Sequence, residues 1–179
     1  MPRVKIRRLS RDELERVWSI DRTELVERVY SVEHGELVLR NERHDVRGWP
    51  PGEPERYGPI LLDCFERGGA CWGAFDGETR VGVAVLESRF SGRRRDTLQL
   101  KFLHVSHSHR KTGLGRALFE RAAERARELG ARSLYVSATP SENTINFYLR
   151  RGCRVAAELD PELFALEPED IHLELMLAA

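Results

Sequence analysis

The stretch RKTGLGRAL, from Arg110 to Leu118, sets two glycines at the point where an extended apolar segment gives way to a long amphipathic one. Leu98, Leu100, Phe102 and Leu103 ahead of it read as a buried strand. Behind it Leu114, Ala117, Leu118, Ala122, Ala126 and Leu129 recur at helical spacing. A helix starting near Gly113 leaves its first backbone N–H groups unpaired, with the positive end of the helix dipole behind them. Gly113 and Gly115 carry no Cβ, so an anion can come close to that backbone, and Arg110, Lys111 and Arg116 add positive charge. The chemistry this favours is phosphate binding. Neither GxxxxGK followed by Ser or Thr nor GxGxxG is present, which argues against a nucleotide-phosphate enzyme and a dinucleotide fold.

Other residue types that do chemistry are scattered. His104, His107 and His109 alternate with other residues, but no nearby Cys or Asp completes a ligand set, so no metal is expected. His107 and His109 are expected to line the loop beside the phosphates. Arg93, Arg94 and Arg95 form a short basic turn, read as a solvated hairpin tip that can also meet a phosphate. Trp49 and Tyr57 are candidates for an acceptor pocket, whereas Trp18 and Trp72 read as core.

Composition bounds the setting. The 179 residues suit a single domain spanning 1–179, and 41% hydrophobic content is enough for its core. Lys plus Arg equals Asp plus Glu at 29 each, which gives no overall field for nucleic acid. No apolar run approaches the roughly 20 residues of a membrane span, and MPRVKIRRLS lacks the apolar core of a signal peptide, so a cytoplasmic protein without membrane partners is expected. Cys64, Cys71 and Cys153 are odd in number, form no CxxC pair and read as reduced packing residues.

The elements that must position the loop follow from pattern. Val4 to Arg8 reads as a strand, and Ser10 with Glu13 makes a capping box for a helix carrying Leu14, Val17, Trp18 and Leu25. VYSVEHGELVLRN predicts a hairpin about His34-Gly35. The four prolines and three glycines of GWPPGEPERYGP predict mostly irregular chain, and Ile60 to Arg67 a helix closed by Gly68-Gly69. ACWGAF, RVGVAVLES and TLQLKFLHV read as three meander strands. The helix from Gly113 to Leu129, the strand RSLYVSA, the helix SENTINFYLRRG and the closing strands CRVAAEL and IHLELML complete the order. The fold class is therefore α+β, a mixed and mostly antiparallel sheet flanked by helices.

LHV at Leu103 to Val105 followed by RxxGxG, and NFYLRRGC at Asn146 to Cys153, together resemble the GNAT superfamily of acyl-CoA-dependent N-acetyltransferases. In that family the first pattern is a strand end with its pyrophosphate loop, and the second is the FYxxxGF segment after the next strand. The likeness implies a GNAT-type fold over nearly the whole chain, with the irregular stretch 31–58 inserted near the acceptor site. It implies transfer of an acetyl group from acetyl-CoA, without a metal, to a primary amine of a small molecule or peptide through a tetrahedral intermediate. A non-catalytic CoA-binding sensor or scaffold of the same fold is the alternative, and pairing with a second copy of the chain stays open.

By the same resemblance, backbone groups of Leu103, His104 and Val105 pair with the pantetheine arm and supply an oxyanion donor. Arg110, Lys111, Thr112, Gly113, Leu114, Gly115 and Arg116 hold the pyrophosphate, and Tyr148 protonates the departing thiolate. Phe147 is a core anchor. Asn143 is the candidate side chain for the pantetheine arm, since the place the family often gives to Asn is Ser141 here. Cys153 replaces the motif's final aromatic. A base is needed because an alkyl ammonium, with a pKa near about 10, is mostly unreactive at neutral pH. Glu87 at a strand end and His104 on the next strand are the candidates, with Glu24 a third.

Overall fold

The computed structural model describes residues 3–178. A short strand β1 (Lys5–Arg8) leads to α1 (Arg11–Leu14), where Ser10 and Glu13 form the expected capping box. The helix is a single turn. A 3-10 turn over Val17–Ser19 follows, and Leu25 lies in the next strand rather than on the helix. The β-branched Val26, Val29 and Val32 carry β2 (Glu24–Glu33), paired to β3 (Glu36–Val46) around His34 and Gly35, both at positive φ.

The Pro/Gly-rich stretch is more regular than its composition predicts. Helix α2 (Glu53–Glu66) starts within it, because Gly52 takes the left-handed N-cap conformation and Pro54 falls in the first turn, where its missing N–H costs nothing. Pro59 is tolerated inside the helix, whose buried face of Tyr57, Leu61 and Cys64 holds it to the sheet. Gly68, at φ +93°, and the Gly69 N–H bonded to the Cys64 carbonyl end it as expected.

The meander β4 (Ala70–Asp76), β5 (Thr79–Leu86) and β6 (Thr97–Val105) runs into α3 (Leu114–Glu128). Then come β7 (Ser133–Ala138), α4 (Glu142–Leu149), β8 (Arg154–Val155), α5 (Pro161–Leu166) and β9 (Ile171–Met176). Cys153–Leu159, expected as a strand, is extended for only two residues, and α5, capped by Asp160, occupies the link to β9. The main sheet has the order β1-β4-β5-β6-β7-β9-β8 and is antiparallel except where β6 meets β7. One face packs on α3 and α4, and the other on α1, α2 and the 3-10 turn. All three cysteines are free and buried, and burial pushes the Cys64 and Cys153 thiols up to about 12. Among the described residues, no helix is long and apolar enough to cross a membrane.

Candidate active site

The site begins with a strand that changes sides. In β6 the register shifts from Leu86 opposite Leu100 to Val85 opposite Phe102, so Lys101 is an extra residue in a bulge. Leu98 and Leu100 therefore join the core under α3, whereas Phe102 joins the core of the α2 face. Just before the bulge β6 loses its other neighbour, because β6 and β7 pair only over Thr97–Gln99 and Ser133–Tyr135 and then diverge.

The divergence leaves backbone edges open. The Ser106 N–H donates to the Val81 carbonyl at 2.8 Å, and hydrogen-bonded pairs alternate along an antiparallel ladder. Val83–His104 and Val85–Phe102 are thus the next bonded pairs, and Leu103 and Val105 turn their N–H and C=O groups toward the splay. The Val105 carbonyl is already taken by Arg110 Nε at 3.1 Å. The Leu103 groups and the Val105 N–H are left as an edge to which an extended amide chain can bond.

The glycine loop lies at the end of this edge. Lys111 and Gly113 are both at positive φ, 62° and 88°, and Gly113 is the N-cap of α3 without a side-chain cap. The first return bond runs from the Ala117 N–H to the Gly113 carbonyl, so the N–H groups of Leu114, Gly115 and Arg116 have no partner in the helix. Gly113 has open space around it, which fits a bound anion. Gly115 has a different reason to be glycine: a Cβ there would meet Phe147 Cε2 at 3.1 Å.

The basic side chains around the loop are partly committed. Arg110 folds back onto Val105, donates Nη1 to the Thr23 carbonyl at 3.2 Å and stands 3.7 Å from Glu24. It fastens β2 to β6 and does not face the helix end. Arg116 pairs with Glu120 at 2.7 Å, and the Thr112 hydroxyl donates to the His109 carbonyl at 2.6 Å. His107 and His109, expected beside the phosphates, are tied elsewhere: His107 Nδ1 to the Thr23 carbonyl at 2.9 Å, and His109 Nε2 to Asp76 at 2.9 Å.

Across the splay, α4 brings Tyr148 into the core, 5.1 Å ring to ring from Phe147 and 6.0 Å from Phe119. Burial raises its pKa, so the phenol stays protonated at neutral pH. Asn143 Nδ2 donates to Glu24 Oε1 at 3.2 Å, and Glu24 also faces Arg110. Glu24 thereby bridges α4 and the loop after β6. Ser141 caps α4 and accepts from the Thr144 N–H.

The two favoured base candidates are separated. His104 stands on β6 at the splay with its ring 4.8 Å from Trp49 and 4.4 Å from Phe102, and among the described residues no side-chain hydrogen bond engages it. Burial, then the Arg22 and Arg110 charges, push its pKa down to about 3, so it is neutral at physiological pH. Glu87 pairs with Gln99, at the end of β6 where β7 is still attached. It is buried, bonded to Arg67 at 2.6 Å, 3.4 Å from Lys101, and accepts from the Ser88 N–H at 2.9 Å. Burial alone would raise its pKa, but Lys101, the Arg89 and Ser88 N–H groups and Arg67 outweigh it and hold the carboxyl below its usual value. Glu87 is thus an anion fixed by Arg67 and by Lys101, the bulge residue.

Trp49 and Tyr57, the aromatics expected at an acceptor pocket, both pack on Phe102 on the α2 side. Trp49 stacks on Phe102 at 5.7 Å and anchors Nε1 on the Ile20 carbonyl, and Tyr57 stacks on Phe102 at 5.9 Å. Arg22 lies over Trp49, 5.2 Å from its centroid. Asp170 accepts from the Ser137 hydroxyl at 3.0 Å, beyond the point where β7 leaves β6, and burial raises its pKa. No sequence signal marks Arg22 or Asp170, since each sits in a link between elements. Among the described residues no cluster of three His, Cys, Asp or Glu could hold a metal.

The acetyltransferase (GNAT) family matches residues 32–153, more than half of the chain. The chain belongs to that family. Solved structures agree on the fold: nourseothricin acetyltransferase is similar over 98% of this chain and 99% of its own, at 21% identity and a TM-score of 0.70. The PaiA N-acetyltransferase of Thermoplasma acidophilum, in complex with coenzyme A, is similar over 97% and 99%, at 17% identity and a TM-score of 0.63. The ribosomal-protein-S18-alanine N-acetyltransferase of Escherichia coli is similar over 99% and 96%, at 15% identity and a TM-score of 0.61. No curated protein matches. The protein is an acetyltransferase of mixed α/β fold, as its two motifs imply.

Proposed function

We propose that residues 1–179 act as one domain that transfers the acetyl group of acetyl-CoA to a primary amine by direct attack. The observation that carries this reading is the open edge of Leu103 and Val105, running from the bulge toward the unpartnered N–H groups of α3. An extended pantetheine amide chain ending in a pyrophosphate needs a strand edge and an anion site in that order. Coenzyme A in the PaiA relative supports the choice of donor.

In the step itself the amine nitrogen attacks the thioester carbon. The C–N bond forms, the C–S bond breaks, and the Leu103 N–H offers a hydrogen bond to the carbonyl oxygen as it gains charge. Tyr148, kept protonated by burial, gives its proton to the departing thiolate. His104, neutral and at the splay, accepts a hydrogen bond from the attacking nitrogen and orients it. The proton the amine loses passes to water, because a ring held at about 3 is too weak a base to keep it. Lys111 to Arg116 hold the pyrophosphate through their backbone.

Release of thiol from acetyl-CoA across a panel of amines tests this. Wild type is expected to turn over at least one amine, and Gly113→Glu, which puts bulk and negative charge at the helix end, is expected to weaken CoA binding severely. Tight CoA binding without turnover of any amine would point to a sensor. Equal CoA binding by Gly113→Glu would refute the loop assignment.

A further inference from the structure

On the α2 side of the splay several charges are matched, but Arg22 is not. Arg56 is held by Glu167 at 3.2 Å, by Glu53 at 3.6 Å and by the Leu166 carbonyl at 2.8 Å. Arg110 has Glu24 and two backbone carbonyls, and Asp170 has Ser137. Arg22 has neither an ion pair within 4 Å nor a side-chain hydrogen bond among the described residues, although Glu53, Asp170 and Glu24 all lie within electrostatic reach. Those carboxylates are committed to other partners, and Trp49 supports the Arg22 guanidinium from below. Stacking on an aromatic face leaves the in-plane N–H groups of a guanidinium available, in the fork that matches a carboxylate.

Its position gives that fork a purpose. Arg22 immediately precedes Thr23 and Glu24, which are fastened to the loop after β6, and the Trp49 ring beneath it meets the edge of His104. His104 shares its face of β6 with Phe102, the face opposite α3. Arg22 therefore stands on the side from which an acceptor reaches the splay when the donor is held by α3. Burial lowers its pKa, which records the desolvation that this half-buried cation carries without a partner.

We infer that the acceptor is an amine that also bears a carboxylate, which Arg22 binds in a forked ion pair while the amine faces His104. This rests on the acetyl-transfer reading above and goes beyond it in naming the acceptor's class. A forked, partly desolvated Arg–carboxylate pair corresponds to about tenfold or more in affinity.

The test uses acceptor pairs that differ only in the carboxylate: lysine against cadaverine, and phenylalanine against phenethylamine, with acetyl-CoA and the full chain. In wild type the carboxylated member of at least one pair is expected to have the higher kcat/KM, by about tenfold or more. Arg22→Met is expected to close that gap, and Arg22→Lys, which keeps the charge without the fork, to retain part of it. Unchanged affinity for CoA in both variants checks that the fold and donor site are intact. Equal kcat/KM within every pair, or a preference that survives Arg22→Met, overturns the inference and leaves acetyl transfer standing. Acetylation of neither member of any pair, with CoA still bound, counts against both.

Discussion

Replacing Glu87 by Gln separates a structural anion from a catalytic base. The substitution keeps the shape and still accepts from the Ser88 and Arg89 N–H groups, but it removes the countercharge of Lys101 and Arg67. The Lys101 side chain is only 9% exposed, and among the described residues Arg67 then keeps Asp63 alone as an ion-pair partner. Leaving a buried charge without its partner costs about 3 kcal/mol or more. For a chain of this length each kcal/mol lowers Tm by roughly 2–4 °C, so a drop of about 6–12 °C is expected. Because the folded-state pKa of Glu87 is depressed, its contribution is full above the unfolded carboxylate value and is lost as pH falls through the folded one. The Tm of Glu87→Gln should accordingly depend less on pH in acid than that of wild type. Thermal unfolding from pH 3 to 7, with thiol release measured well below Tm, reads both effects. A loss of about a hundredfold or more in kcat with Tm unchanged would refute the structural role and make Glu87 the base.

Gly113→Ala and Gly115→Ala should part company in thermal unfolding. The first forces a side chain to φ +88° at a cost of about 1–2 kcal/mol, whereas the second offsets a 3.1 Å contact with Phe147 by helix propensity and should stay near neutral. Tyr148→Phe should lower kcat by about tenfold or more while leaving CoA affinity nearly unchanged, as pre-steady-state and titration data would reveal. His104 has a folded pKa of about 3 against 6.5 unfolded, so its neutral form contributes stability that is full above pH 6.5 and declines as pH falls. His104→Phe should flatten the stability curve over that range, and a wild-type curve already flat there would contradict the burial of the ring.

The proposed donor half of the site is legible because each of its parts is local. A strand end, two glycines and an amphipathic helix are written in consecutive residues, and the Ser10–Glu13 and Ser141 caps are equally local. The acceptor half depends on contacts between distant segments. Arg22 meets Trp49 through the path of a link, and Asp170 meets Ser137 through the β7–β9 register. Only the second half of helix α2 is legible, as Ile60–Arg67, because the prolines mask its first turns and the Tyr57, Leu61, Cys64 spacing gains its burial from the sheet. Arg110 fits the motif, but its side chain fastens Thr23 and Val105, a role visible only once β2 lies across the loop.

The most direct test of the account is a crystal structure with CoA bound. The pyrophosphate oxygens are expected within hydrogen-bond distance of the Leu114, Gly115 and Arg116 N–H groups. The pantetheine amides should lie along Leu103 and Val105, and the sulfur beside the Tyr148 hydroxyl. Density for CoA away from the splay, or a pyrophosphate remote from the start of α3, would contradict it.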